Sequence, residues 1–239
     1  MRNVLRSYLP LFLRYIRLAH GACENNHLEG THEMIITSTS DLNLLVASTE
    51  KRFKISGVST NDIFHYAKEG NGVSIKGVIL AVKKNEVAFF KPSAFGKKSF
   101  TVRQLVGQRA LSTINESLSD SFKDRMSYLE EIERKNYIDV LSKSSEVGNV
   151  LAVFENEKMA SLLIFRDYEL DGEVTSLISW FWVAPGLGAK RTYAVFSILT
   201  PEMLANAKET IIAYAHTLNS RSLLITRKFN MEPVWIQLE

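Results

Sequence analysis

The sequence predicts an α/β protein with a mixed sheet flanked by helices. Three observations carry this. Strand-like alternation and helix-like spacing of apolar residues take turns along the chain from about residue 98. Two apolar runs of strand length flank the polar turn "ENEK", which reads as a hairpin. With 46% hydrophobic residues among 239, the chain can bury a sizeable core, as one large domain or one domain with an extension.

Composition narrows the class further. A charged fraction of 23% and an aromatic fraction of 10% suit a globular protein. The net charge of +3 admits an anionic partner without demanding one, so a nucleic acid is not the favoured ligand. A single cysteine, Cys23, leaves no internal disulfide and no cysteine-built zinc site, and a reducing, cytoplasmic setting is expected.

The opening "MRNVLRSYLPLFLRYIRLAHGACENN" has an apolar core broken by Arg14 and Arg17. It is too short for an export segment or a bilayer span, and reads as a basic arm over residues 1–33. Met34 is an alternative natural start. Residues 34–97 are expected to form a small α+β unit. There "DIFHYAKEG" is a short helix closed by Gly70, and "VSIKGVILAVKKNEVAFFK" is a pair of strands folded over "KKNE". "KPSAFGKK" has linker chemistry and sets a boundary near residue 97.

Residues 98–239 form the second part. "FTVRQLV" is a strand and "GQRALSTINESLSDSF" a helix. "DRMSYLEEIERKNYIDVLSK" is a stronger helix, with Met126, Leu129, Tyr137, Val140 and Leu141 at helical spacing. "NVLAVFENEKMASLLIFRDY" is the hairpin, and "EVTSLISWFWVAP" the next strand. Trp180, Phe181 and Trp182 are consecutive, so they must fill both faces of a sheet covered on both sides. "KRTYAVFSIL" fits strand or helix. A helix is expected from Thr200 as N-cap and Pro201 in its first turn, with Leu204, Ala207, Ile211, Tyr214 and Leu218 on its apolar face. "SRSLLITR" then reads as a strand, and "KFNMEPVWIQLE" closes with a short one.

The aromatic strand runs directly into Val183-Ala184-Pro185-Gly186-Leu187-Gly188. Glycines at that spacing suit a tight turn, or a loop whose bare backbone approaches a ligand. In this loop and in the order of elements around it, residues 98–239 resemble the GNAT superfamily of N-acetyltransferases. The family's loop pattern is Gln/Arg-x-x-Gly-x-Gly/Ala; both glycines match, while Val183 stands at the first position. The resemblance implies a GNAT-like central sheet and a loop whose amides bind the pyrophosphate of acetyl-CoA as co-substrate. The cofactor-binding residues it implies are Val183, Gly186, Leu187, Gly188 and Ala189, with Lys190 and Arg191 adding positive charge. "KRTYAVFSIL" then reads as an insertion, since family members pass directly from the loop into a helix.

The implied activity is transfer of an acetyl or other acyl group from a CoA thioester to an amine, on a small molecule or a protein. That needs a base for the amine proton and an acid for the departing thiolate. Glu173, which opens the strand leading to the loop, is the candidate base among the carboxylates of "RDYELDGE", and Tyr193, near the glycines, the candidate acid. The five histidines show no metal-ligand spacing, so no metal is expected. Two other readings stay open: a catalytically inactive GNAT-like binding module, and a phage-type nucleic-acid-modifying protein on the same core.

Overall fold

The computed structural model describes residues 35–38, 42, 52–68, 75–88, 99–123, 126–127, 131–217 and 219–238. The arm over 1–33, Met34, Gly70 and the linker at 91–98 lie outside these residues. In chain order the elements are β1 (Ile35–Ile36), β2 (Arg52–Ile55), α1 (Thr60–Lys68), β3 (Ile75–Lys83), a 3-10 turn (Lys84–Glu86), β4 (Thr101–Leu105), α2 (Gly107–Lys123) and α3 (Glu131–Val147). They continue as β5 (Asn149–Glu155), β6 (Lys158–Leu170), β7 (Glu173–Val183), α4 (Ala189–Asn206), β8 (Thr210–His216), α5 (Ser220–Lys228) and β9 (Glu232–Leu238). The mixed α/β class predicted from the sequence is the class observed. The described residues fall into two compact units, one within 89–208 and one combining 24–88 with 209–239.

The unit within 89–208 is an antiparallel meander in the order β4-β5-β6-β7. Its hairpins are set by two-residue turns with both residues at positive φ. Asn156 and Glu157 have φ 49° and 64°, and Asp171 and Gly172 have φ 52° and 80°. Such turns match the right-handed twist of the strands they join. Side chains alternate across each strand, which splits the aromatic triplet. Trp182 enters the core made with Leu105, Ile114, Leu118, Leu141 and Leu162. Trp180 packs at the edge of that core, 6.4 Å from the Tyr137 ring, and its Nε1–H donates to Ser117 Oγ at 3.0 Å. Phe181 stacks on Phe196 of α4 at 5.2 Å. The sheet is thus covered on both faces, as the triplet implies.

Ser117 is fully buried and donates its own proton to the Ile114 carbonyl at 2.8 Å. Trp180→Phe therefore deletes one buried donor while leaving the serine bonded. The expected loss is about 1–2 kcal/mol of unfolding free energy, read from a urea titration.

Helix α3 begins at Glu131, not at residue 124 as its spacing suggests. Met126 sits in a turn, buried, with its N–H on the Ser121 carbonyl at 2.8 Å. Leu129 lies outside the described residues. At the other end of α3, Gly148 turns the chain into β5, and that turn is tight. A Cβ there would meet Phe165 O at 2.6 Å and Ser144 O at 2.8 Å.

In the other unit the strand order is β1-β2-β9-β3-β8, with β1–β2 parallel and the remaining pairs antiparallel. The expected hairpin over "KKNE" does not form among the described residues. Strand β3 pairs with β8 and β9 from the end of the chain. The 3-10 turn at Lys84–Glu86 is tied to that same segment, by Lys84 N–H to Glu209 O at 2.7 Å and Asn230 Nδ2 to Glu86 O at 3.1 Å. Residues 210–216, expected to be helical, form β8. "SRSLLITR", expected to be a strand, forms α5, capped by Asn219 Oδ1 accepting from Ser222 N–H at 3.1 Å. The closing strand β9 forms as expected.

Candidate anion-binding loop after β7

Strand β7 ends at Val183, which pairs with Ser161 of β6. The exit is fixed by two further bonds. Ser161 Oγ, fully buried, donates to Trp182 O at 2.6 Å, and Ala184 N–H donates to Ala160 O at 2.9 Å. Pro185 and Gly186 then turn the chain, the Leu187 side chain packs inward, and Gly188 starts a helix. Gly186 and Gly188 both have φ 74°, a left-handed value that L side chains resist. A Cβ on either would meet nothing within 4 Å. The glycines therefore serve the sign of φ, and the ground in front of them is open.

Helix α4 begins at Ala189, directly after the loop. This corrects two expectations: "KRTYAVFSIL" is the first half of that helix, not an insertion, and Thr200 and Pro201 are inside it, not at its start. Thr200 is buried, and its Oγ1 makes no hydrogen bond, so it caps nothing. The misreading has a physical basis, since a proline in a helix interior forfeits the bond to the carbonyl four residues back and is commonest in a first turn.

The start of α4 is unusual in charge. Its first backbone bond runs from Thr192 N–H to Gly188 O at 2.9 Å, so the amides of Gly188, Ala189 and Arg191 precede the first intrahelical donor. Gly188 offers no side-chain cap, and the first turn has no acidic residue. It carries Lys190 and Arg191 instead. Cations at the positive end of a helix are electrostatically disfavoured unless an anion joins them. One anion is present: Arg191 forms an ion pair with Glu155, the last residue of β5. Glu155 escapes a motif search because it is adjacent only through the β5–β6 hairpin.

The two candidate catalytic residues are not brought together. Tyr193 stands just past the first turn of α4 and is 44% exposed. Glu173 opens β7, exposed, at the opposite end from the loop. Ten residue steps at about 3.3 Å each separate it from Val183, roughly 33 Å along the strand. Between them β7 carries a bulge, because Ile178 pairs with Phe165 and Trp180 with Ile164, leaving Ser179 out of register. Ser179 Oγ is buried and makes no hydrogen bond.

The second hairpin carboxylate is held elsewhere. Glu157 takes a bidentate pair from Arg103, whose Nη1 lies 2.8 Å from Oε2. The hydrogen bond from Arg103 holds the Glu157 carboxyl below its ordinary range. Arg103 also sits 4.9 Å from the centre of the Phe154 ring. In the other unit, two open clefts of about 370 and 670 Å³ share Arg227, Met231 and Glu232; their linings mix cations with Glu86 and Glu232 and gather no single charge. No group of His, Cys, Asp or Glu among the described residues could hold a metal ion, and no helix among them is long and apolar enough to cross a membrane.

No protein-family model and no curated protein matches the chain. Solved structures do. A functionally unknown conserved protein from Staphylococcus epidermidis ATCC 12228 aligns with TM-score 0.46 at 6% identity, over 83% of this chain and 76% of its own. A conserved protein of unknown function from Bacteroides thetaiotaomicron VPI-5482 aligns with TM-score 0.46 at 8% identity, over 88% and 81%. A GCN5-related N-acetyltransferase from Kribbella flavida aligns with TM-score 0.44 at 9% identity, over 86% and 76%. The likeness is distant.

Proposed function

We propose that the chain binds an acyl-CoA thioester, acetyl-CoA in the first instance, through the loop after β7 and transfers its acyl group to an amine. One observation carries this reading. A central strand runs through two left-handed glycines into a helix whose uncapped first turn bears two cations and no carboxylate. The amides of Gly186, Leu187, Gly188 and Ala189 would bond the diphosphate, with Lys190 and Arg191 supplying charge and Val183 closing the strand ahead of the loop.

In the transfer, the amine nitrogen attacks the thioester carbonyl and the carbon–sulfur bond breaks. The amine's proton goes to a base or a water, and the thiolate takes up a proton as it leaves. Tyr193 is the proposed acid and Glu173 the proposed base, and each role asks something of the ligand. Glu173 can act only on a ligand that runs the length of β7, and Tyr193 only on a sulfur held near the glycines. Their separation favours one second reading, a GNAT-like module that binds CoA without turning it over.

Calorimetry of the whole chain with CoA and acetyl-CoA tests the reading. Binding is expected, and Lys190→Gln should weaken it about three- to ten-fold at low salt, with the difference shrinking as salt rises. Binding without release of free thiol from acetyl-CoA in the presence of amines would favour the module. No heat at millimolar CoA would remove both.

A further inference from the structure

Resting on that binding reading, we infer that Glu155 determines which anions the loop accepts, by holding Arg191 until a ligand of more than one negative charge takes its place. The end of β5 and the turn that follows it carry two carboxylates, Glu155 and Glu157, and each has its own arginine. Glu157 is 74% exposed and takes Arg103. Glu155 is only 20% exposed and takes Arg191, which is 45% exposed. Alternation along β5 puts Leu151, Val153 and Glu155 on one face and Val150, Ala152 and Phe154 on the other, and the second set belongs to the core under α2 and α3. Glu155 therefore projects on the face that α4 covers, beside the first turn that carries Arg191.

The consequence is an exchange reaction. The Glu155 carboxylate places negative charge beside the cationic start of α4, where the helix dipole favours it. Any anion that takes Arg191 leaves the largely buried Glu155 without its cation, and a single carboxylate or other monoanion would trade one such bond for an equal one. A diphosphate differs, because one phosphate can take Arg191 while the other takes the amides of the glycine turn. Glu155 thus sets a threshold of charge. It is a specificity-determining residue that takes no part in bond making.

Calorimetry with inorganic pyrophosphate, CoA and acetate on the full-length chain tests this. The wild type should bind CoA and pyrophosphate and give no heat with acetate. Glu155→Gln should tighten pyrophosphate about two- to five-fold and make acetate binding measurable. Glu155→Asp, with a shorter reach to Arg191, should give a smaller gain of the same sign. In an Arg191→Gln background the gain should vanish, because the two residues act through one contact. Glu157→Gln removes a charge from the same hairpin and should leave pyrophosphate affinity unchanged. If the wild type binds CoA but Glu155→Gln leaves pyrophosphate unchanged or weaker, the inference fails while the loop reading stands. It fails in the same way if the gain persists without Arg191, or if Glu157→Gln matches it. If neither the wild type nor any variant binds CoA or pyrophosphate, the loop reading fails and takes the inference with it.

Discussion

Gly148→Ala lowers the unfolding free energy by about 2–3 kcal/mol, among the larger penalties for adding one methyl to a packed interior. The added Cβ would stand 2.6 Å from Phe165 O, 2.8 Å from Ser144 O and 2.9 Å from Arg166 Cβ. Two of these are backbone atoms, one in β6 and one in the last turn of α3, so no side chain can swing away to make room. Either the helix end lifts off the sheet or β6 bends. Chemical denaturation should show the loss as a lower midpoint with an unchanged slope. Full wild-type stability would mean that the α3–β5 connection is looser than the structure has it.

Gly188→Val has the largest expected effect on binding, about a hundred-fold weaker CoA. At φ 74° and ψ 159°, a valine occupies backbone territory that is essentially glycine's alone, at about 1–3 kcal/mol. The loop escapes the strain by rotating peptides, which turns the cradle amides away from the ligand. Losing two charge-assisted bonds of about 1.5 kcal/mol each accounts for the hundred-fold drop. Gly172→Val is the matched control, with φ 80° and open space around it at the far end of β7. It should cost similar stability and leave CoA affinity intact. Thermal unfolding and calorimetry on both variants read the two quantities separately. Unaltered CoA affinity in Gly188→Val would remove the loop from the binding site.

Much of the meander is legible in the sequence, because its partners are close along the chain. "NVLAVFENEKMASLL" contains both strands of a hairpin and the polar turn between them, and the aromatic triplet announces a sheet covered on both faces. The last third is not legible in the same way. Leu204, Ala207, Ile211, Tyr214 and Leu218 fit a helical stripe, yet Ile211 to Ala215 lie in β8, whose partner is β3, with Ile79 opposite Tyr214. A short apolar run takes its form from whatever pairs with it, and that partner lies far back along the chain. In "SRSLLITR" the signal is present and outweighed: Asn219 ahead of Ser220 is a good N-cap, and Arg227 with Lys228 suits a helix end. The glycine loop is legible as a motif. The Arg191–Glu155 pair is not, since it depends on how a hairpin comes round to meet a helix start.

The pairing of β3 with β8 and β9 also bears on how the protein is made. Synthesis from the N-terminus delivers "IKGVILAVK" first, whereas the two strands that flank it are encoded far downstream, in the stretch 210–238. Throughout translation of the intervening chain this hydrophobic ribbon is a sticky orphan, open to chaperones and to aggregation with its neighbours on a polysome. A ribosome stalled near codon 208 would release a product in which one compact unit is fully encoded and the other lacks the strands on both sides of its β3.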